Sequence, residues 1–188
     1  MYFEKFWYND GINGRWENIG PIKVSNESGS SQPSILTHFS DNPDRDKIQV
    51  LCRSNQGVVT EAWSSNRGRT WGPVTPTSLP NPNSAIDALT LSNGMHLIVY
   101  NHATKERKTN LSGLESLNVA ISKDGQTWDV GLVLENTEKS EFLNPAVIQT
   151  ADDLVHIVYT WNHKKIKHVV IDPAKLISRR IVDGIWPE

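Results

Sequence analysis

The sequence predicts an all-β fold of about three repeated units, each made of short antiparallel strands. Three observations predict it. Strand-like segments recur in a fixed order, with candidate second strands at 47–53 (KIQVLCR), 95–101 (MHLIVYN) and 154–160 (LVHIVYT). Gly, Pro, Asn and Ser are spread evenly along the chain, the texture of many turns. No convincing stretch of helical periodicity interrupts the pattern.

Each unit is justified element by element. Segments 33–39, 85–91 and 145–150 precede the second strands and read as first strands. Segments 58–64, 116–122 and 166–171 follow them and read as third strands. The turn-like runs Ser92-Asn93-Gly94 and Ala151-Asp152-Asp153 separate first from second strands in the later units. Judged from Arg53, Asn101 and Thr160, the spacing is 48 and 59 residues. Repeats of this size, with about four strands each, are the pattern of β-propeller blades.

Composition narrows the function. The 188 residues carry mixed charges with a formal net charge of −2, which disfavours a general nucleic-acid or anionic-membrane partner. No apolar run approaches the length of a membrane-spanning helix. A single cysteine, Cys52, excludes an intramolecular disulfide and reads as a small buried apolar residue. His168 has no second ligand at metal spacing, so neither zinc nor another cofactor is expected.

A second periodic signal runs in phase with the strands. Ser64-Ser65-Asn66-Arg67-Gly68-Arg69-Thr70-Trp71 and Ser122-Lys123-Asp124-Gly125-Gln126-Thr127-Trp128 each follow a third strand. Asn9-Asp10-Gly11 with Trp16 is a degenerate third copy; Trp16, Trp71 and Trp128 lie 55 and 57 residues apart. In such a turn Asp or Asn folds back on its own backbone, Gly takes positive φ and Trp fills the space between strands. These acidic residues are therefore expected to be structural.

Both runs resemble the Asp box, Ser-x-Asp-x-Gly-x-Thr-Trp, of the sialidase superfamily. Ser31-Gln32-Pro33-Ser34-Ile35-Leu36, Leu51-Cys52-Arg53-Ser54, Asn81-Pro82-Asn83-Ser84 and the closing 155–162 (VHIVYTWN) are similar to its bacterial branch of BNR-repeat proteins. The resemblance covers nearly the whole chain, residues 1–188, and matches the C-terminal blades of that branch. It implies a six-bladed propeller of which about half is present here, as a truncated piece, and an oligosaccharide or polysaccharide as substrate. Sialidases use a tyrosine nucleophile activated by a glutamate, with three arginines holding the substrate carboxylate. Matched position by position, Gln32 stands for the glutamate, Arg53 for the second arginine, Leu114 for the third and Phe142 for the tyrosine. Only Arg53 is retained.

The candidate site residues follow from their places in the repeat. Arg53, Asn101 and Thr160 end equivalent second strands, and an arginine there suits anion recognition by its planar fork. Gln32 opens a first strand and can hydrogen-bond sugar hydroxyls. Asp87 interrupts an otherwise apolar first strand, and Glu141 stands beside the position of the family nucleophile; these two are the candidate catalytic carboxylates. Asn101 and Tyr159 complete the candidate substrate contacts, with an inter-blade role as the alternative for Tyr159. The expected activity is that of an exo-sialidase-like glycoside hydrolase on terminal acidic sugars. A polysaccharide lyase on the same fold and a non-catalytic glycan-binding propeller are the alternatives.

Overall fold

A computed structural model describes residues 3–7, 15–23, 29–41, 46–103 and 113–187. β1 (Phe3–Trp7) and β2 (Arg15–Ile19) form an antiparallel hairpin. β3 (Ser31–His38), β4 (Lys47–Arg53), β5 (Val58–Ser64) and β6 (Thr75–Pro80) make a first blade in that spatial order. β7 (Asp87–Thr90), β8 (His96–Tyr100), β9 (Ser116–Ser122) and β10 (Trp128–Asn136) make a second. Its outer edge takes one more short strand, β14 (Arg179–Arg180). β11 (Phe142–Gln149), β12 (Val155–Trp161) and β13 (Lys165–Ile171) make a third. Every strand pairing is antiparallel, and the described residues hold one 3-10 turn, Pro173–Lys175, and no α-helix. The all-β array of blades expected from the sequence is present, while the degenerate box at residues 9–11 lies outside the described residues.

Why these segments are strands is visible in their burial. β8 is covered on both faces by neighbouring blades, so all five of its residues are buried and it reads as a continuous apolar run. β12 has one covered face, so buried Val155, Ile157 and Tyr159 alternate with more open His156 and Val158. Between the first and second blades, Leu36, Leu51, Val59 and Leu79 pack with Ile98, Tyr100, Ala120 and Trp128. Between the second and third, Val99, Val119 and Ile121 pack with Phe142, Val147 and Ile157. The opposite face of the third blade carries Ile148, Val158, Ile166 and Val170 in the open. β7 packs against both β3 and β11, so the first strands form the inner edge of the fan.

The up-and-down order divides the array into two ends. At one lie the Asp-box turns; at the other lie the ends of β4, β8 and β12 and the starts of β3, β7 and β11. In the second box Asp124 accepts from Thr127 N at 2.7 Å, Thr127 Oγ1 at 2.6 Å, Gln126 N at 2.9 Å and Ser122 Oγ at 3.1 Å. Partial burial pushes its pKa up, but these bonds outweigh that and hold it at about 2. Asn66 does the same work in the first box, accepting from Thr70 N at 2.8 Å and donating to Thr70 Oγ1 at 2.8 Å. Both box positions are spent on their own turns, as expected of structural residues.

At the Asp-box end a polar chain crosses between the first two blades. Gln49 donates from Nε2 to Glu61 at 2.6 Å and to Gly125 O at 2.8 Å, so its Oε1 faces His38 Nε2 at 3.0 Å. His38 Nε2 must therefore carry a proton. His38 Nδ1 meets His96 Nε2 at 3.1 Å, and His96 Nδ1 meets Thr90 Oγ1 at 3.0 Å. One added proton fits this chain; a second would set N–H against N–H across the two rings. Burial pushes His96 down to about 4, with the His38 charge adding, and burial lowers His38 as well.

The unfolded His96 ring binds a proton from about pH 6.5 downward, whereas the folded one resists until about pH 4. Stability is therefore complete above that window and lost as pH falls through it, by up to about 3 kcal/mol. Urea unfolding across this range should show the loss, and His96→Gln should flatten the slope. An unchanged slope in the variant would contradict the assignment.

Candidate functional site

The end of the fan opposite the Asp boxes gathers Gln32, Arg53, Asn101 and Glu141 from three successive blades. Ser31 pairs with Arg53 across β3 and β4, and Arg53 Nε donates to Ser31 Oγ at 3.2 Å. Nη1 donates to Asn83 O at 3.1 Å. The scaffold thus holds two of the guanidinium's five N–H donors, and no carboxylate among the described residues pairs with the group. The remaining N–H donors keep the fork geometry that suits a carboxylate.

The first strands open with a shared irregularity. Gln32 and Asn144 both have φ 51, each stands before a proline, and each sits in a break of register, between Ser31 and Ser34 or between Leu143 and Ala146. Bulges of this kind re-aim side chains at strand ends. They leave Gln32 exposed beside the Ser31–Arg53 pair.

Asp87 stands in line with Ser34 and Ala146, since the three face Val99, Leu51 and Val158 across their ladders. Its Oδ1 accepts from Ser34 Oγ and Ala88 N, both at 2.9 Å, and its Oδ2 accepts from Val147 N at 2.8 Å. One carboxylate therefore ties the inner strands of all three blades. Three of the carboxylate's roughly four acceptor positions are thereby taken.

Glu141 is held by the turn after β12. Its N–H donates to Asn162 Oδ1 at 2.5 Å, its carbonyl accepts from Asn162 N at 2.8 Å, and Oε2 meets His163 Nε2 at 2.8 Å. Asn162 and His163 both take positive φ to make this clasp. The carboxylate is 43% exposed, open enough for a substrate proton to reach the Glu141–His163 pair. The neighbouring Phe142 is fully buried in the core between blades.

Asn101 is also fully buried; its Nδ2 donates to Ser116 O at 2.6 Å and to Phe142 O at 3.0 Å, linking the second and third blades. Tyr159 is 2% exposed and gives its hydroxyl to Glu135 at 2.6 Å, with Lys167 paired to the same carboxylate. Lys165 and Lys167 lie over the Trp161 ring. No group of three or more His, Cys, Asp or Glu able to hold a metal occurs among the described residues. The partners that sequence reading missed, Ser34 and Val147 N for Asp87 and Asn83 O for Arg53, lie 53, 60 and 30 residues away from the residues they hold. A backbone N–H or carbonyl leaves no residue-type signal.

The BNR repeat-like domain family matches residues 4–157. The chain belongs to this family. Among solved structures it is similar to the NanB sialidase of Streptococcus pneumoniae, with TM-score 0.63 and 12% identity over 93% of this chain and 28% of that one. It is also similar to the Trypanosoma rangeli sialidase solved with sialic acid, with TM-score 0.56 and 16% identity over 90% of this chain and 26% of that one. A lectin of Aleuria aurantia, solved with α-methyl-L-fucoside, aligns with TM-score 0.51 and 16% identity over 96% of this chain and 53% of that one. These likenesses establish a sialidase-type β-propeller fold, and this BNR-repeat chain spans just over a quarter of the two sialidases' length. No curated protein sequence matches it.

Proposed function

We propose that this BNR-repeat protein recognises a terminal acidic sugar at the inner strand ends, with Arg53 taking the sugar carboxylate and Gln32 its hydroxyls. The carrying observation is that the Arg53 guanidinium is anchored and pairs with no carboxylate among the described residues. Glu141, paired with His163 and open to solvent, is the better placed proton donor or acceptor; Asp87 keeps the inner strands together. The tyrosine route is unsupported, because Phe142 has no hydroxyl and is sealed in the core. A second reading, glycan binding without cleavage, is favoured by the hydrogen bonds on both Asp87 oxygens.

The test gives the protein a fluorogenic α-sialoside and a panel of uronate- and rhamnose-terminated oligosaccharides. No sialic acid release is expected, and any turnover should fall on the uronate panel and be lost in Glu141→Gln. Sialic acid release by the unaltered protein would overturn the residue matching. Binding of acidic sugars without turnover would establish the second reading.

A further inference from the structure

We infer that the open face of the third blade holds a divalent transition-metal ion, Cu(II) by preference, between His156 and His168, and that a second copy of this chain completes the site. Sequence spacing leaves His168 without a second ligand; the fold supplies one from the neighbouring strand. His156 Nδ1 stands 2.9 Å from His168 Nε2, and the two rings are nearly parallel, at 17°. Neither residue belongs to the Arg53 site or to the cores between blades.

The register puts the pair at the centre of one sheet face. His156 lies opposite Val170 and Ile148, His168 lies opposite Val158, and Thr160 lies opposite Ile166. The alternate residues Val155, Ile157 and Tyr159 point the other way, into the core shared with the second blade. Lys165 and Lys167 alternate with Ile166 and His168 and lie over the Trp161 ring, away from the histidines. The histidine face therefore carries no carboxylate, lysine or arginine at these positions. Its Ile148, Val158, Ile166 and Val170 are between 38% and 67% exposed. Two copies can bring such faces together without like-charge repulsion, and doing so removes the apolar rim from water.

The nitrogens choose the ion. Imidazole binds first-row metals at ~2.0–2.1 Å, and two such bonds at a right angle place their nitrogens ~2.9 Å apart. The pair has that separation. Right-angled nitrogen sets suit the square-planar geometry of Cu(II), which also stands highest in affinity among these ions. A small rotation of each ring turns the two lone pairs from one another onto a shared ion. The neutral tautomers then carry their protons on His156 Nε2 and His168 Nδ1. Among the described residues no third His, Cys, Asp or Glu joins the pair. One chain thus offers half of a four-nitrogen plane, and the same two rings on a second copy supply the other half. Packed sheets stand about 10 Å apart, a gap in which rings reaching from both sides meet.

Copper titration of the chelator-treated protein, followed by sedimentation velocity, tests this. One Cu(II) should bind per two chains and convert monomer to dimer, and added chelator should reverse the change. The electron paramagnetic resonance spectrum of the frozen complex should show four coordinating nitrogens rather than two. His156→Ala and His168→Ala should each weaken copper binding at least about tenfold, as even the loss of an outer-shell partner does, and abolish the dimer. Ile166→Lys keeps both ligands but sets a charge on each copy's face. Ile166 is 67% exposed, so this variant should fold normally and dimerise at least about tenfold less tightly. One ion per chain without association, a dimer that persists in chelator, or copper binding untouched by both histidine changes would overturn the inference.

Discussion

Gly125→Ala is expected to destabilise the protein by about 4 kcal/mol, whereas Gly94→Ala should cost only about 1. Both glycines take positive φ, at 72 and 82, so both substitutions carry the same left-handed strain. Their surroundings differ. A Cβ on Gly94 would meet nothing within 4 Å, while one on Gly125 would lie 2.1 Å from Gln49 Oε1 and 2.8 Å from His38 Cε1. Gln49 would have to leave, and with it the bonds to Glu61 and His38 in its own blade and the bond to Gly125 O across the blade boundary. Urea unfolding of the two variants measures the difference. The Gly125→Ala penalty should shrink in a Gln49→Ala background, because the clash is then already removed. Equal costs for the two glycines would mean that the box turn does not press on the neighbouring blade.

Asp87→Ala should cost about 3 kcal/mol, the scale of several hydrogen bonds to one charged acceptor after discounting for partial exposure. Val147 N and Ser34 Oγ would lose their shared acceptor, leaving the Thr37–Thr90 bonds to join the inner strands of the first two blades. Asp87→Asn is isosteric but presents an NH2 to one of those donors, so it should recover part of the loss. Native-state hydrogen exchange at the Val147 amide should accelerate in both variants. A stable Asp87→Ala protein with impaired turnover would instead make Asp87 a catalytic group.

The fold was legible because a propeller repeats itself. Segments 47–53, 58–64 and 116–122 match β4, β5 and β9 residue for residue, since alternation and turn chemistry act locally. The first strands were less sharp: 33–39 stands against Ser31–His38, and 145–150 against Phe142–Gln149. The reason is the left-handed steps at Gln32 and Asn144, which place a bulge ahead of each proline and let the strand begin earlier. At the candidate site, the repeat placed Arg53 and Asn101 at equivalent strand ends, but it could not show that the first is anchored at the surface and the second buried between blades. Nor could it show what Asp87 holds. That carboxylate interrupts an apolar strand because of a hydroxyl and an amide on other blades, contacts that exist only once the fan is assembled.

The Arg53 fork is the centre of the proposed recognition. Isothermal titration of the protein with a carboxylated monosaccharide, compared with the matching carboxamide, measures what that fork contributes. The acid should bind and the carboxamide should not. Arg53→Ala should weaken the acid by about tenfold or more, with Arg53→Lys recovering only part, because a lysine offers a point charge rather than a bidentate edge. Equal affinity for acid and carboxamide, or acid binding untouched by Arg53→Ala, would contradict it.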